Sequence, residues 1–343
     1  MNTDRIDEII ETHKLPKFRS KQLKKAFFEQ HCTSFDQVST LSKDLRSKLS
    51  EENVLSLSLH KMYTSAEGNC FKALLKLHDD RIIETVLMSP KPGHWTTCIS
   101  SQVGCALACT FCATGTMGLL RNLTSEEISD QVLFWKQFIQ EEGHGFTLNN
   151  IVYMGMGEPL HNKKNVFASL RELTNPDTFN IGSRHISVST SGMVQAIYEF
   201  SDEFPQVNLA ISLHSADEDQ RTSLMPINKK WSLADLGKSL QDYLDKTNRK
   251  IFIEYILLKN ENDSLQDARK LVEFLKGITP THLLHTNLIV YNETDSSHEQ
   301  ASRENARAFK EYLVSKGVQA TIRKNLGRDI DGACGQLAVL DQK

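Results

Sequence analysis

The stretch of sequence that decides the fold is Cys98-Ile-Ser-Ser-Gln-Val-Gly-Cys105-Ala-Leu-Ala-Cys109-Thr-Phe-Cys112-Ala-Thr-Gly115. It follows a predicted strand and holds Cys105, Cys109 and Cys112 in C-x3-C-x2-C spacing. Three thiolates on one short loop can converge on a soft metal centre. An ordinary ferredoxin cluster takes four cysteine ligands, so three would leave one iron open to bind a reactant. The spacing therefore predicts an iron–sulfur site with an open coordination position.

A zinc site is the alternative for the same cysteines. Cys98 or Cys334 would supply the fourth ligand of a four-cysteine zinc site. Structural zinc sites usually pair two C-x2-C units, which disfavours this alternative. A zinc deaminase is disfavoured as well, because no H-x-E sequence precedes the cysteines.

The composition excludes several classes of protein. The chain has 343 residues, 39% apolar and 24% charged, with a formal net charge of −3, which excludes collagen-like, low-complexity and wholly disordered chains. Its seven cysteines, an odd number, argue against a secreted disulfide framework. The first residues do not resemble a signal peptide, and no apolar run approaches the length of a transmembrane helix. We therefore expect a cytoplasmic protein without a membrane segment.

Hydrophobic periodicity divides the chain into three predicted regions. Residues 1–55 have helical spacing interrupted at Pro16, and residues 56–97 have the alternation of a small β extension. Residues 98–343 alternate between strands and helices, which predicts parallel strands in an α/β barrel or an open sheet, with ligands at the carboxyl ends of the strands. The predicted strands are 151–154, 186–190, 207–213, 251–258, 285–291 and 318–322, and the predicted helices are 125–140, 164–173, 232–245, 265–275 and 301–314.

Polar side chains alternate near the ends of two predicted strands. Ser189 and Ser191 are predicted to share one face, and Ser212 and His214 to share a face of the following strand. Such residues could bind a ligand or simply be hydrated, and a lone histidine such as His214 is more often structural than catalytic. The two glycines of Gly155-Met-Gly-Glu-Pro159 fit a tight turn equally well.

Several separated motifs together resemble one family. These are the cysteine stretch quoted above, Gly155-Met-Gly-Glu-Pro159, Ser212-Leu-His214, Leu224-Met-Pro-Ile-Asn228 and Asp329-Ile-Asp-Gly-Ala-Cys334-Gly-Gln. In this order they resemble the RlmN/Cfr family of radical S-adenosylmethionine (SAM) RNA adenine methyltransferases. The resemblance covers nearly the whole chain. It implies a partial (β/α)6 radical SAM barrel over residues 98–343, the β extension over 56–97 and a helical RNA-binding domain over 1–55.

The resemblance also implies a role for individual residues. The cysteine triplet would hold a 4Fe–4S cluster, Cys334 would accept a methyl group, and Cys98 would later form a disulfide with Cys334. Glu84 would accept a proton, although an exposed strand glutamate explains it equally well. Asn292 is followed by Glu293, where the family's pattern has proline. Cys32 and Cys70 are left as packing residues. The implied SAM contacts are Gly157, Glu158, Ser189, Ser212, Leu213, His214 and Asn292.

The implied activity is methylation of C2 of an adenosine in 23S rRNA and in a subset of tRNAs. SAM and adenine C2 are both electron-poor, so a radical route, with two SAM molecules per turnover, makes chemical sense. The implied partners are the two RNAs and a flavodoxin-like electron donor, and we expect a monomer. Alternatives are C8 methylation of the same adenosine (the Cfr activity), a radical SAM enzyme with another RNA substrate, and a non-catalytic zinc-stabilised RNA-binding protein.

Two basic groups are candidates for contact with RNA. The segment Lys14 to Lys25 holds six basic residues and no acidic one, which is typical either of a solvated helix face or of a phosphate-binding element. Arg323, Lys324 and Arg328 follow the last predicted strand. We expect both groups to bind phosphates.

Overall fold

The chain forms a helical N-terminal region, an antiparallel meander and a long run of parallel strands. The computed structural model describes residues 1–142, 147–294 and 296–338. In the described part of the chain, no helix is both long and apolar enough to span a membrane.

The N-terminal region is helical, as predicted. Pro16 lies between its first two helices, and the apolar residues Ile6, Ile9 and Phe27 are buried. Helix α2 continues into a π-helical turn over Lys25–Glu29. The helices are α1 (Thr3–Thr12), α2 (Phe18–Lys24) and α3 (Lys43–Leu49).

The next four strands form an antiparallel meander in which each strand pairs with its neighbour in sequence. They are β1 (Leu57–Thr64), β2 (Cys70–Leu77), β3 (Ile82–Lys91) and β4 (His94–Cys98). The register places Glu84 of β3 opposite Leu74 and places Cys98 of β4 opposite Val86. The predicted β extension is therefore present, and its last strand leads directly into the cysteine stretch.

Strands and helices alternate through the rest of the chain. The elements are β5 (Gln102–Gly104), α4 (Ala113–Thr116), β6 (Leu119–Asn122), α5 (Ser125–Glu141), β7 (Leu148–Tyr153), α6 (Lys163–Thr174), β8 (Ile186–Thr190), α7 (Val194–Glu203), β9 (Asn208–Ser212), α8 (Glu218–Leu224), α9 (Leu233–Thr247), β10 (Ile251–Leu257), α10 (Leu265–Lys276), β11 (Leu284–Val290), α11 (Arg303–Ser315) and β12 (Gln319–Ile322). Capping boxes define the starts of α5, α9 and α10.

Strand β4 joins the meander to the parallel sheet. It pairs in parallel with β7, and β7 to β12 then follow in sequence order, each parallel to the one before it. This gives six strand–helix units and a final strand, which confirms the predicted α/β class. Among the described residues β12 pairs only with β11, so the sheet is open. All carboxyl ends of the parallel strands meet at one edge, where ligands collect.

The structure corrects the predicted strand faces. Strand β8 ends at Thr190 and β9 ends at Ser212, so Ser191 and His214 lie beyond the strands and not on their faces. His214 has a positive φ of 59°, which breaks the strand alternation. Helices α7 and α8 were not predicted at all.

Candidate active site

The cysteine triplet lines a cavity at the carboxyl ends of the parallel strands. Cys105, Cys109 and Cys112 form one side of this cavity, here called the cysteine cavity. Residues from the ends of five parallel strands form the other side: Tyr153, Ser189, Ser212, Ile256 and Ile289. The predicted thiol site and the predicted ligand edge of the sheet therefore coincide.

Backbone contacts fix the loop that carries the three thiols. Cys105 N donates to the Gly118 carbonyl at 2.9 Å, and Thr110 N donates to the Leu224 carbonyl at 3.0 Å. Ala108 has a positive φ of 51°, and a Cβ added to Gly115 would lie 2.9 Å from the Cys109 carbonyl oxygen. The loop is therefore close-packed against the start of α4, and its cysteines are held at defined positions.

The donor set of this loop fits an iron–sulfur cluster. Burial raises the pKa of the Cys105 thiol to about 12 and raises the pKa of Cys109 well above its ordinary value, so a bound cation is needed to hold these groups as thiolates. Within the described ranges, no three His, Cys, Asp or Glu side chains are grouped to hold a single metal ion. Three soft thiols on one short loop beside a cavity are the ligand type that an iron–sulfur cluster takes.

The turn after β7 packs tightly against the link between β4 and β5. Gly157 has φ +98°, and a Cβ there would lie 2.5 Å from Gln102 Cβ. A Cβ on Gly155 would lie 2.7 Å from Ser100 Oγ. Both glycines are therefore required by close approach, and Gly157 also by its backbone conformation. They bring the Glu158 side chain to the cavity wall.

Glu158 is buried, and backbone amides donate hydrogen bonds to both oxygens of its carboxylate. Oε1 accepts a hydrogen bond from Leu160 N at 3.0 Å, and Oε2 accepts one from Ser191 N at 2.8 Å. Burial nevertheless raises the pKa of this carboxyl. Because Glu158 lines the cavity, its carboxylate would attract the ammonium group of a ligand bound there.

The strand ends contribute three more polar groups to the same cavity. Ser189 Oγ and Ser212 Oγ lie 3.4 Å apart, which makes them neighbours across β8 and β9. His214 is buried and its Nδ1 accepts a hydrogen bond from Ile256 N at 3.1 Å. Burial lowers the pKa of His214 to about 3, so its imidazole is neutral at physiological pH.

Arg221, which the sequence analysis missed, ties these strand ends together. Its guanidinium is buried and donates to the carbonyls of Ser191 and Leu213 and to Asn228 Oδ1 at 2.6 Å. Asn228 belongs to the Leu224-to-Asn228 motif, so this motif works at least in part by positioning the arginine. The sequence did carry one signal for Arg221: it follows the polar strand end Ser212 by only nine residues.

Two residues implied as SAM contacts lie outside the wall of the cysteine cavity. Leu213 is fully buried, and its carbonyl accepts from Arg221 Nε. Asn292 donates from Nδ2 to the Cys334 carbonyl at 3.0 Å and accepts from Asn325 Nδ2 at 2.7 Å. Asn292 therefore holds the C-terminal loop in place. The residue after it, Glu293, stands where the family's pattern has proline.

Cys334 connects the cysteine cavity to a second, smaller one. It lines both cavities, and Cys98 lines the second, here called the thiol recess. Cys334 is accessible to solvent and Cys98 is buried, and neither is in a disulfide. Desolvation raises the pKa of Cys334 to about 11 and that of Cys98 to about 12.

Two charged residues lie beside these thiols: Glu254, which the sequence analysis missed, and Arg323, which it expected only as a phosphate contact. Arg323 lines the thiol recess, and Glu254 lines the cysteine cavity. Their side chains meet at 3.3 Å between Arg323 Nη1 and Glu254 Oε2. The positive charge of Arg323 opposes this effect of desolvation, so the pKa values of Cys334 and Cys98 are raised less than burial alone would raise them. It therefore favours the thiolates that nucleophilic attack requires.

Glu84 is buried, so the exposed-glutamate alternative is wrong. Its side chain is 2% exposed and lies 3.7 Å from Lys72 Nζ. Lys72 Nζ also donates to the Asp331 carbonyl at 3.2 Å, three residues before Cys334. Burial raises the pKa of Glu84 to about 7. Glu84 is not part of the wall of either cavity.

The two remaining cysteines, Cys32 and Cys70, are buried as predicted.

Comparisons with known proteins agree with this arrangement. Residues 99–275 match the radical SAM superfamily, and residues 1–55 match the ribosomal RNA large subunit methyltransferase N-terminal domain. A ribosomal RNA large subunit methyltransferase Cfr of Bacillus velezensis is 40% identical over 97% of this chain and 95% of its own. A probable dual-specificity RNA methyltransferase RlmN of Bacillus licheniformis is 41% identical over 95% of this chain and 89% of its own.

A solved structure extends the similarity to three dimensions. A radical SAM methyltransferase from Sphaerobacter thermophilus has a TM-score of 0.91 and 37% identity, covering 98% of this chain and 97% of that one. The similarity takes in both the helical N-terminal region and the cysteine loop. We conclude that this chain belongs to the RlmN/Cfr family, the radical SAM methyltransferases of ribosomal RNA.

Proposed function

We propose that this enzyme methylates C2 of an adenosine in 23S rRNA and in a subset of tRNAs, by way of a methylated Cys334. The observation that carries the proposal is that Cys334 lines the cysteine cavity and the thiol recess at once. A thiol at this junction can receive a methyl group from a ligand in the first cavity. Cys98, which lines the second cavity, would attack the sulfur afterwards.

Membership of the radical SAM superfamily implies a 4Fe–4S cluster and SAM. Cys105, Cys109 and Cys112 would hold the cluster, and Glu158 with the serines at the strand ends would hold SAM. When bound, the cluster supplies the electron that cleaves SAM to a 5′-deoxyadenosyl radical. We propose two SAM molecules per turnover, one as methyl donor and one as radical source.

The two thiols outside the cluster carry the covalent steps. The Cys334 thiolate attacks the SAM methyl group, forming a thioether and releasing S-adenosylhomocysteine. A hydrogen atom would then pass from this methyl group to the radical derived from SAM, and the carbon would bond to adenine C2. One electron would return to the cluster and the C2 proton would be lost to a base, which leaves the RNA tethered to Cys334. The Cys98 thiolate would attack Cys334 Sγ, so that a disulfide forms as the sulfur–carbon bond breaks, the carbon takes up a proton and the methylated base leaves. A thiol reductant would then reduce the disulfide for the next turnover. Arg323 assists both attacks by stabilising thiolate.

Glu84 is proposed as the acceptor of the proton from C2. A pKa of about 7 suits a general base near neutral pH. Lys72 contacts Glu84 and the Asp331 carbonyl, so it connects this carboxyl to the loop that carries Cys334. That connection supports a role for Glu84 once RNA is bound.

C2 methylation is supported by Pro159, which follows Gly157-Glu158 as in the C2 enzymes. The second candidate is C8 methylation, favoured by the similarity to the Cfr protein of Bacillus velezensis. The test is incubation of the reconstituted enzyme with 23S rRNA or tRNA transcripts and methyl-labelled SAM, followed by mass spectrometry of the nucleosides. Labelled 2-methyladenosine supports the proposal, and 8-methyladenosine alone overturns its regiochemistry.

We further propose a cytoplasmic monomer that receives electrons from a flavodoxin-like protein.

The covalent mechanism is tested by replacing single thiols. Cys334→Ala is expected to abolish methylation and leave the brown iron–sulfur chromophore intact, because Cys334 is not a cluster ligand in this scheme. Cys98→Ala should accumulate RNA covalently bound to the protein. Cys32→Ala is the matched control, since Cys32 is a buried packing residue of the N-terminal region. Full activity of Cys334→Ala, or colourless zinc protein after anaerobic reconstitution, would contradict the mechanism.

A further inference from the structure

A wide groove runs between helix α11 and the edge strand β12. Its volume is about 940 Å³. Helix α11 supplies Arg303, Arg307 and Lys310 to one wall. The opposite wall consists of β12 and the segment after it, including Ile322, Arg323, Asn325 and Arg328. We call it the α11–β12 groove.

The groove is strongly basic in a chain whose net charge is negative. Five of its thirteen lining residues are Arg or Lys, and Glu311 is the single acidic one. A comparable surface groove between α9 and α10 is charge-balanced, because Lys238 and Lys270 are offset by Asp242 and Glu273. Basic charge is therefore concentrated at the α11–β12 groove, which suits a polyanion.

Three basic residues on α11 form one row. Arg303, Arg307 and Lys310 recur at i, i+4 and i+7, so they lie on one face of the helix along about 10 Å. A row of cations on one helix face can contact the phosphates of a nucleic-acid backbone. Arg307 pairs with the exposed Glu311 at 3.2 Å, and such surface pairs break at little cost.

The α11–β12 groove adjoins the thiol recess. Arg323 and Asn325 line both, and Cys334 lies in the recess. Two apolar side chains, Val314 and Ile322, are 52% and 37% exposed in the groove and offer contact surface to a nucleobase. A strand lying in the groove would thus lead to the thiol that contacts the target base.

We propose that the α11–β12 groove binds the single-stranded RNA that flanks the target adenosine, with Arg303, Arg307 and Lys310 as phosphate contacts. This rests on the proposed RNA methyltransferase function and adds a second RNA surface to it. An acidic protein, such as an electron donor, is the other polyanion the charge could attract. RNA is favoured because Arg323 and Asn325 of the groove also line the recess that holds Cys334 and Cys98.

The test compares two triple variants that remove the same number of positive charges. R303Q/R307Q/K310Q removes the three α11 cations. K238Q/R269Q/K276Q removes three exposed cations from α9 and α10, and Arg269 has the same i, i+4 carboxylate partner, Glu273, that Arg307 has in Glu311. Binding of a fluorescent 23S rRNA transcript to reconstituted enzyme is measured without SAM, over a range of KCl concentrations.

The α11 variant is expected to bind 10- to 100-fold more weakly at 0.1 M salt. The slope of log K against log salt should fall in magnitude by about 2, which corresponds to three phosphate contacts on a single strand. The control variant should match the wild type. Unchanged affinity and slope in the α11 variant would overturn the proposal.

Methylation assays separate this proposal from the proposed function. If the wild-type enzyme methylates neither RNA, the proposed function fails, whatever the binding data show. If the α11 variant binds RNA normally but loses only methylation driven by flavodoxin, and not methylation driven by dithionite, the groove docks a protein reductant. That result would also overturn RNA binding in the groove.

Discussion

At the scale of single residues, burial separates two carboxylates of the same type. Glu158 accepts two backbone amide hydrogen bonds at the cavity wall. Glu84 lies 3.7 Å from Lys72 Nζ, and its Oε2 accepts no side-chain or backbone hydrogen bond that satisfies standard geometry among the described residues. Lys72 therefore offsets only part of the cost of ionising the buried Glu84, which makes Glu84 a candidate base and a weak point in stability.

The stability cost of Glu84 predicts a pH-dependent effect of Glu84→Gln. Its pKa is about 7 in the folded chain and 4.5 in the ordinary case. Between these values the unfolded chain loses its proton first, so the free energy of unfolding of the wild type falls as pH rises. Glu84→Gln removes this cost, and the variant should gain up to about 3 kcal/mol over the wild type between pH 4.5 and 7. Urea unfolding at several pH values measures the difference.

Removal of a carboxylate from the surface provides the control for this experiment. Glu51→Gln, at an exposed position, reports the general effect of losing one negative charge. A stability difference for Glu84→Gln that does not change across this pH window would show that Glu84 is not held with a raised pKa.

The sequence identified some site residues and missed others for physical reasons. Cysteines are rare and their spacing was visible along the chain, so the cluster triplet needed no tertiary information. Arg221 and Glu254 were not recognised, and Arg323 was expected only as a phosphate contact. Their places in the site depend on long-range contacts, such as Arg221 with the Ser191 carbonyl and Arg323 with Glu254. Their roles depend on which strand ends and loops become neighbours after folding.

At the scale of elements, the predicted strands and the structure agree to within about three residues, because buried parallel strands are continuous apolar runs. The strand predicted at 186–190 matches β8 in both bounds. Helix α8 has seven residues, too few for helical periodicity to stand out. The turns at the strand ends were not predicted either. A left-handed backbone usually shows in a sequence as glycine, but at this turn the residue with positive φ is His214.

The turn after β7 provides a prediction at this scale. Gly157→Ala is expected to weaken SAM binding at least 10-fold, because its Cβ would displace Gln102, whose Oε1 accepts from Glu158 N at 2.8 Å. Gly93→Ala is the matched control: Gly93 also has positive φ, but nothing lies within 4 Å of its added Cβ. Equilibrium dialysis of reconstituted enzyme with labelled SAM measures the affinity. Equal SAM affinity for the two variants would contradict a role for the close approach.

At the scale of the whole molecule, the N-terminal helices are fixed to the outside of the parallel sheet. The Met1 amino group pairs with Asp130 of α5, and Thr3 N donates to Glu172 of α6 at 3.1 Å. Phe28 stacks against Phe179 with ring centroids 4.9 Å apart. The N-terminal region is thus attached to α5 and α6, while β12, which forms one wall of the α11–β12 groove, is the last strand in the sheet order.

These two basic surfaces lead to the last prediction, the charge reversal K21E/K24E/K25E. Lys21 and Lys25 are exposed on the second helix and its π-helical turn. If the N-terminal region contacts phosphates, the triple variant should bind a 23S rRNA transcript at least 10-fold more weakly and with a smaller salt slope. Because the surfaces are on separate elements, its effect on log Kd should add to that of R303Q/R307Q/K310Q in the combined variant. An unchanged Kd and slope would show that Lys14 to Lys25 is only a solvated face, and a combined effect no larger than either alone would show that one RNA does not contact both surfaces.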